Sequence, residues 1–230
     1  MALIPVTLCL PAFNEQENIK RAIEDSIRVL QDVSDDWEIV VVDDGSSDDT
    51  SDIVNELIVR EKRIRLIRHG LNKGYGAALI TAFYAASKQW VWLSAADNQF
   101  DPAQIKQLIK YIGQNDVVVG YRKHRADPGY RRAYARMYSH FIATLFGLSV
   151  KDINCGFKLI KRSVFDKISL KSEGALIDAE FFVKCKREGF LVKEIAVEHK
   201  PREFGEQTGG DIAVIIRMFV EAFKLRFRGL

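Results

Sequence analysis

Residues 37–50 read WEIVVVDDGSSDDT, an apolar β-branched run that ends in acidic and small polar residues. The run at 37–42 is typical of a parallel strand that is buried on both faces. Asp43, Asp44 and Gly45 then supply turn chemistry, and a helix is expected to follow as far as about Arg60. Strand, polar turn and helix in this order predict one unit of an α/β sheet.

The same alternation continues outward from this segment. Further strands are predicted at residues 6–10, 64–67, 90–94, 117–119 and 190–197, and further helices at 15–31, 73–88, 102–112, 130–146, 179–188 and 211–230. The pattern predicts an α/β fold with a single open, mostly parallel sheet flanked by helices. Because no internal repeat, linker or low-complexity stretch is visible, we expect one domain over residues 1–230.

Composition limits the classes of function. The 230 residues carry a formal net charge of +3, which does not by itself favour nucleic acid, and no nucleic-acid partner is expected. Cys9, Cys155 and Cys185 lie far apart without a CxxC pair, which disfavours a disulfide framework and favours a reducing compartment. Neither a signal peptide nor a long uncharged run is evident, so a cytoplasmic location is expected.

Polar residues follow four of the predicted strands. They are Asn14 and Glu15, Asp43 and Asp44, Asp97 and Gln99, and Arg122. A single residue of this kind is usually a helix cap, and Asn14 is expected to cap the helix at 15–31. Because the carboxyl ends of parallel strands share one edge, where ligands bind, four such loops together predict a binding site.

Common nucleotide-binding motifs do not describe these loops. The loop after the first strand reads PAFNEQ and contains no glycine, which excludes a GxGxxG fingerprint there. Residues 70–76, GLNKGYG, match neither that fingerprint nor GxxxxGK[ST]. Two interpretations of this segment stay open: a turn into a closely packed helix, or a contribution to the ligand site. The four histidines show no metal-ligand spacing, and each is expected to be an ordinary surface or core residue.

Several motifs together resemble a known family. Residues 11–18 (PAFNEQEN), 42–50 (VDDGSSDDT) and 96–102 (ADNQFDP) resemble the P-x-[FY]-N-E-x-x-N, VDDGSxDxT and DAD-x-Q-x-x-P segments of family 2 glycosyltransferases. The second half resembles the dolichol/polyprenyl-phosphate mannose synthase branch. The matching residues there are Asp152, Cys155, Gly156, Phe157, Lys158, Asp178, Glu180, Pro201, Arg202, Gly205 and Thr208. The motifs span nearly the whole chain in the family's order.

This resemblance implies a GT-A fold and a reaction. An inverting enzyme would move a hexose, mannose or glucose, from a GDP- or UDP-sugar donor to a polyprenyl or dolichyl phosphate acceptor. The chain would divide into a Rossmann-like nucleotide-binding half (1–121), an acceptor half (122–210) and a C-terminal amphipathic helix (211–230). The donor-binding residues implied are Pro11, Phe13, Asn14, Glu15, Asp43, Asp44, Gly45, Lys73 and Asp97.

The chain departs from the family at the metal-binding D-x-D. That motif would begin at position 95, where this chain has Ala95, so Asp97 and Gln99 are the remaining metal-ligand candidates. Mg²⁺ needs only one or two protein carboxylates beside substrate phosphate, and a weakly held Mg²⁺ or Mn²⁺ is therefore expected. The alternative is that arginines offset the charge of the phosphates. The candidates are Arg122, Arg131 and Arg202.

The proposed acceptor determines which catalytic groups are needed. A phosphate monoester has a second pKa of about 6, so it is an anion at neutral pH and attacks without a strong general base. Positive charge must bring the two anionic substrates together, and the acceptor-binding candidates are Arg122, Arg131, Asp178 and Glu180. The catalytic candidates are Asp97, Arg122, Arg131, Asp152 and Arg202. The acids would orient the arginines or contact the sugar, and both roles stay open.

Residues 212–230 combine apolar and basic positions with helical spacing. Such a helix either lies in a membrane interface or packs on the domain, and a membrane surface or a membrane-anchored subunit is the expected partner. Two other functions stay open. Sugar transfer to a saccharide or protein hydroxyl would need Asp152, Asp178 or Glu180 as base. Ala95 alternatively marks a catalytically weak nucleotide-sugar-binding subunit.

Overall fold

The computed structural model describes residues 3–123, 129–205, 219–223 and 226, without the side chains of residues 130–132 and 135. The strands of this part are β1 (Val6–Ala12), β2 (Trp37–Asp43), β3 (Ile64–Arg68), β4 (Trp90–Leu93), β5 (Val117–Arg122), β6 (Lys158–Lys161) and β7 (Val192–Val197). The helices are α1 (Ile19–Val33), α2 (Thr50–Arg60), α3 (Tyr75–Ala85), α4 (Ile105–Ile109), α5 (Gly129–Phe146) and α6 (Ile177–Arg187). Short 3₁₀ turns, Pro102–Gln104 and Arg162–Val164, precede α4 and follow β6.

The seven described strands form one sheet in the order β3-β2-β1-β4-β6-β5-β7. β6 runs antiparallel to β4 and β5, whereas the other described strand pairs are parallel. The predicted single open, mostly parallel sheet is therefore confirmed. The chain leaves β1 for β2 and β3 on one side and returns to β4 on the other. The β1–β4 boundary is thus a topological switch point, where α/β sheets bind ligands.

The sheet is covered on both faces, as its apolar strands require. All seven residues of β2 are buried. Ile39 and Val41 belong to the core cluster that includes α1, α2 and α4, whereas Val40 and Val42 belong to the cluster that includes α3, α5 and α6. Successive side chains of a strand point to opposite faces, so a strand with helices on both sides reads as a continuous apolar run.

Three elements differ from the sequence predictions. α1 begins at Ile19 rather than at residue 15, because the preceding residues form a loop of the candidate site. β6 is absent from the sequence predictions, since it has only four residues and a lysine at each end. Pro102 begins a 3₁₀ turn rather than the main helix, and the Asp101 carboxylate caps that turn.

The predicted C-terminal helix lies mostly outside the described residues. Residues 219–223 and 226 are helical, and Phe219 packs against Tyr138 and Phe141 of α5. Val220 and Phe223 are exposed on this segment. Within the described part of the chain, every helix is too short or too polar to cross a bilayer.

Candidate functional site

Two carboxylates flank the β1–β4 switch point. Glu15 follows β1, and Asp97 follows β4. The Arg202 guanidinium lies between them, with Nη2 2.8 Å from Glu15 Oε1 and Nη1 3.9 Å from Asp97 Oδ2. The structure therefore brings one cation and two carboxylates together at the edge where the parallel strands end.

Burial raises the pKa of both carboxyl groups above the ordinary values. For Glu15 the Asn18 amide and the Arg202 guanidinium oppose this effect of burial, and for Asp97 the Gln99 backbone N–H and Arg202 oppose it. For both groups, desolvation raises the pKa by more than the positive charge of Arg202 lowers it. Further positive charge at this edge would therefore favour the ionised carboxylates.

Arg202 reaches this point on an extended segment, residues 198–205, which we call the strap. The strap begins after β7 at the far edge of the sheet and ends beside α1, so it passes across the carboxyl ends of the intervening parallel strands. Gln104 exchanges two hydrogen bonds with the Glu198 backbone, at 2.7 and 3.1 Å. Gln99 likewise makes two hydrogen bonds with the Lys200 backbone. The Gln99 carbonyl accepts from the Lys200 N–H at 2.8 Å, and the Gln99 side-chain amide donates to the Lys200 carbonyl at 3.0 Å.

The loops after β1 and β2 are joined through Asn14. Its backbone N–H donates to Ser46 Oγ at 2.9 Å, and its Oδ1 accepts from the Ser47 backbone N–H at 2.9 Å. Asn14 has a φ of 54°, a left-handed conformation that asparagine tolerates better than most residues. The prediction that Asn14 caps α1 is therefore wrong, because its side chain bonds the neighbouring loop and Asn18 occupies the cap position.

The acidic pair after β2 is buried. Asp43 accepts hydrogen bonds from the Ser46 backbone N–H at 2.8 Å and from the Ser51 hydroxyl, so it holds the turn onto α2. Asp44 is 4% exposed and accepts from the backbone N–H groups of Lys73 at 3.0 Å and Gly74 at 2.8 Å. Asp44 thus attaches the glycine-rich segment to the end of β2.

Close packing accounts for two glycines near this junction. Gly45 has a φ of +78°, and a Cβ there would lie 2.6 Å from the Leu71 carbonyl carbon. A Cβ on Gly76 would lie 2.7 Å from the Gly174 carbonyl oxygen. These contacts support the turn into a closely packed helix as one role of residues 70–76. The Lys73 side chain is exposed at the same edge of the sheet.

The two remaining candidates for binding the nucleotide-sugar donor lie at the carboxyl end of β1. Pro11 is a half-buried sheet residue paired in register with Val42. Phe13 follows the strand with 39% of its surface exposed. An exposed ring beside a binding edge is available to pack against a ligand.

In the second half, Arg122 forms a bidentate ion pair with Asp152. Nε lies 2.7 Å from Asp152 Oδ2 and Nη2 lies 2.8 Å from Oδ1. Both side chains are about nine-tenths buried, being 9% and 10% exposed. Asp152 therefore orients Arg122 at the end of β5. Arg131 belongs to α5, but its side chain lies outside the described part of the structure.

Asp178 and Glu180 are buried at the start of α6 and have protein partners. Asp178 Oδ1 lies 2.7 Å from the Lys158 Nζ, which also donates to the Cys155 carbonyl at 2.6 Å. Glu180 accepts from the Ser172 backbone N–H at 2.7 Å and pairs with Lys184 at 2.7 Å. These contacts tie Asp178 to β6 and Glu180 to the segment before α6, so both carboxylates contribute to the local structure.

A metal site would depend on few protein ligands. Within the described residues, no group of three or more His, Cys, Asp or Glu side chains is arranged to hold an ion. Asp97 has one carboxylate at the switch point, and the Gln99 amide nitrogen is bonded to Lys200. Ala95 is half-buried opposite Gly156, 3.9 Å from where a Gly156 Cβ would lie. A single carboxylate fits a cation that substrate phosphate helps to hold.

Sequence reasoning misses two residues of this region. Lys158 belongs to a family motif but receives no role from it, although its side chain is 2% exposed and pairs with Asp178. His69 is expected to be an ordinary residue, but it contacts Asp44 at 2.6 Å. Only the position of Lys158 within an apolar run hints at burial. For His69, its position two residues after the end of the predicted strand at 64–67 is the available signal.

A cavity of about 240 Å³ lies at the opposite edge of the sheet, near the amino ends of β2, β3 and β4. Several of its charged side chains pair with each other, as in Arg65 with Glu38 and Lys88 with Asp36. Its position separates it from the loops described above. We therefore assign the candidate site to the carboxyl edge.

The sequence model described as glycosyl transferase family 2 matches residues 7–169. The chain belongs to this family. The match begins in β1, passes through both acidic loops and ends beyond β6. The predicted family is therefore confirmed from the first strand through the Arg122–Asp152 pair.

Solved structures confirm the predicted GT-A fold. Glucosyl-3-phosphoglycerate synthase from Mycobacterium tuberculosis, in complex with phosphoglyceric acid, aligns with a TM-score of 0.75 and 18% identity, covering 97% of this chain and 80% of that chain. The same enzyme with Mn²⁺, UDP and glucosyl-3-phosphoglycerate aligns with a TM-score of 0.73 and 19% identity, covering 97% of this chain and 80% of that chain. At this level of identity, the similarity concerns the fold.

Sequence relatives include a glycosyltransferase and a sugar transferase named for undecaprenyl phosphate. An undecaprenyl-phosphate 4-deoxy-4-formamido-L-arabinose transferase from Edwardsiella ictaluri is 29% identical over 93% of this chain and 66% of its own length. Glycosyltransferase AglD from Haloferax volcanii is 28% identical over 86% of this chain and 34% of its own length. The chain thus spans between one third and two thirds of the length of these curated relatives.

Proposed function

We propose that the chain is an inverting glycosyltransferase that moves a hexose from a nucleotide-sugar to a polyprenyl phosphate. The observation that carries the proposal is the convergence of Glu15, Asp97 and Arg202 at the switch point, with Arg122 at the end of β5. Undecaprenyl-phosphate sugar transferases among the relatives support a lipid phosphate as acceptor. The family motifs favour a donor in which mannose or glucose is attached to GDP or UDP.

The donor would lie along the β1–β2–β4 edge. Pro11, Phe13 and Asn14 would flank the nucleoside on one side, and Asp44 would accept a hydrogen bond from it on the other. Arg202 and Lys73 would attract the diphosphate, since both are cations near this edge. Asp43 and Gly45 would act indirectly, because they shape the turn that holds Asp44.

A divalent cation, Mg²⁺ or Mn²⁺, would be held by Asp97, with Gln99 as a second candidate and donor phosphate completing the set. Such an ion supplies charge stabilisation to the diphosphate as it leaves. The Mn²⁺ and UDP in a solved structure of the same fold are consistent with this chemistry. Because Ala95 removes one carboxylate of the family motif, the ion would be weakly bound. Arg202 would therefore also stabilise the negative charge of the leaving diphosphate.

The acceptor would enter from the β5 side. Arg122, oriented by Asp152, would hold the phosphate, and Arg131 is a second candidate. A phosphate oxygen forms the new bond to the anomeric carbon while the bond from that carbon to the nucleoside diphosphate breaks, which inverts the configuration. The phosphate is already anionic, so no proton needs to be removed. Asp178 and Glu180 would stabilise this half through their bonds to Lys158 and Lys184.

The lipid acceptor implies contact with a membrane surface or with a membrane-anchored partner. Phe223 and Val220 on the C-terminal segment, together with Tyr134 and Met137 on α5, are exposed apolar side chains. A basic amphipathic segment of this kind can lie in a membrane interface. We propose peripheral association at the cytoplasmic face of a membrane.

The test is incubation of the purified protein with labelled GDP- and UDP-hexoses and a short polyprenyl phosphate, with and without Mn²⁺. We expect a sugar-phosphate lipid, and we expect Asp97→Asn to lower its rate by about 100-fold or more. Asp25→Asn, a partly exposed carboxylate on α1, is the matched control and should leave the rate unchanged. The absence of product with every donor would refute the proposal.

Ala95 favours a second candidate, a nucleotide-sugar-binding subunit without transfer. Calorimetry that detects donor binding without turnover would support it, and Ala95→Asp distinguishes the two functions. Turnover in the wild type excludes the subunit. Turnover that appears only in Ala95→Asp shows that the wild-type chain is a binding subunit and not an active transferase. Product on a saccharide hydroxyl, with a rate that follows a carboxylate pKa, would instead identify a hydroxyl acceptor.

A further inference from the structure

His69 follows β3 directly and joins two elements through its ring. Its Nδ1 lies 2.6 Å from Asp44 Oδ1, and its Nε2 lies 2.9 Å from the Thr81 hydroxyl on α3. The His69 backbone N–H also donates to the Asp43 carbonyl at 2.9 Å. Because an ionised carboxylate only accepts hydrogen bonds, the Nδ1 of His69 carries the proton and donates to Asp44. The imidazole is 8% exposed, so this bond is shielded from water.

The contacts of Asp44 leave little of its carboxylate for a ligand. Oδ1 accepts from His69 and from the Lys73 backbone, and Oδ2 accepts from the Gly74 backbone at 2.8 Å. A carboxylate offers about four acceptor positions, so the three bonds that it receives from the described residues leave about one. The direction of that last position is set by the other three. Two of these bonds come from the main chain, and His69 supplies the third from a side chain.

We propose that His69 is a positioning residue for the donor: it fixes the Asp44 carboxylate so that its remaining acceptor position receives an N–H or O–H of the nucleoside. This inference rests on the proposed function, which puts a nucleoside beside Asp44. Thr81 would hold the imidazole in the orientation that this bond needs. His69 does not touch the reacting atoms, and its effect would therefore fall on donor affinity rather than on the transfer step.

Two amide substitutions separate the contacts of the ring. In His69→Asn the amide nitrogen can take the position of Nδ1 and keep the bond to Asp44, while the bond to Thr81 is lost. In His69→Gln the longer side chain reaches the Nε2 position and keeps the bond to Thr81, while Asp44 loses its side-chain donor and keeps the two backbone donors. Thr81→Val removes the hydroxyl and leaves the His69–Asp44 bond. Thermal unfolding of each variant shows that it is folded.

The measurements are calorimetric affinities for GDP and UDP, together with kcat and the donor KM. We expect His69→Gln to weaken nucleotide binding and raise the donor KM by about 10- to 100-fold, with kcat changed by less than about 3-fold, since a hydrogen bond to a buried charge is lost. His69→Asn should recover most of the affinity, and Thr81→Val should lose less than His69→Gln.

Equal losses in the Asn and Gln variants, or a fall in kcat at constant KM, would overturn the role of His69 and leave the proposed function standing. A wild-type protein that binds neither GDP nor UDP would overturn both. Nucleotide binding without sugar transfer would refute only the proposed reaction, because the affinities still test His69.

Discussion

At the residue scale, Glu180 shows how neighbouring hydrogen-bond donors set the ionisation of a buried carboxylate. Glu180 is 1% exposed, and its two oxygens accept bonds from the Lys171 and Ser172 backbone and from Lys184. Burial raises its pKa, but the bonds from Lys184 and Ser172 outweigh burial, and the pKa of Glu180 lies below the ordinary value. The ionised form of Glu180 is therefore the form that the fold stabilises.

We expect Glu180→Gln to lower the free energy of unfolding at pH 7 by about 1–3 kcal/mol, because backbone donors and Lys184 lose a charged acceptor. A carboxyl group with a lowered pKa in the fold stabilises it above the unfolded-state pKa of about 4.3, and this contribution disappears as the pH falls through the folded-state value. The difference from wild type should thus shrink below about pH 4, as measured by urea unfolding.

The control for this prediction is Glu188→Gln, an exposed glutamate just beyond the end of the same helix. It should change the stability by less than about 0.5 kcal/mol at every pH. A Glu180→Gln protein as stable as wild type at pH 7, or with a difference that grows in acid, would contradict the structural role. A raised acceptor KM without loss of stability would instead favour contact with substrate.

At the element scale, α3 depends on a close approach to the segment before α6. A Cβ on Gly76 would lie 2.6 Å from the Glu173 carbonyl carbon and 2.7 Å from the Gly174 carbonyl oxygen. Both neighbours are backbone atoms, which cannot turn aside as a flexible side chain does. The Ala77 backbone N–H also donates to the Glu173 carbonyl at 3.1 Å, so the two segments are joined where α3 begins.

Gly76→Ala should therefore destabilise the protein by about 1–3 kcal/mol, the usual cost of forcing atoms into a packed contact. Gly70→Ala is the matched control in the same glycine-rich segment, since a Cβ added there would meet nothing within 4 Å and its φ is not left-handed. Its effect should lie within about 1 kcal/mol, in the stabilising direction. Equal denaturation midpoints for the two variants would contradict the close contact.

At the scale of the whole molecule, the strap connects the outer edge of the sheet to α1. The Phe204 carbonyl accepts a hydrogen bond from Arg202 Nε at 2.6 Å and from the Asn18 amide at 3.3 Å, while Glu203 pairs with Arg21 at 3.1 Å. The Arg202–Glu15 pair is buried and the Arg21–Glu203 pair is exposed. Exposed pairs contribute about 0–1 kcal/mol, so the buried pair should dominate the attachment.

Arg202→Gln should accelerate amide hydrogen exchange in residues 198–205 and weaken donor binding, because Glu15 keeps a buried carboxylate without its cation. Arg21→Gln removes only the exposed pair and should change the exchange of the strap little. Hydrogen exchange followed by mass spectrometry of both variants measures the difference. If the two variants gave the same exchange, the Arg202–Glu15 pair would not be what holds the strap.

The sequence by itself determined the family, the α/β class and the acidic loops. β2 could be predicted because its residues are buried on both faces, so one local pattern records the environment. The turn chemistry of Asp43 and Gly45 is local as well. Asp97 and Arg122 could be identified as candidates because each follows a predicted strand, and parallel strands end at one edge.

Only the tertiary structure decided which of these groups meet. Glu15 and Arg202 lie 187 positions apart, and no local pattern encodes their contact. β6 escaped prediction because Lys158 is a charged residue whose burial depends on Asp178 in a later helix. Asn14 resembled a helix cap because capping residues also suit loop junctions, and the choice depended on the position of Ser46. Pairwise contacts between distant segments follow from packing, whereas strands and turns follow from neighbouring residues.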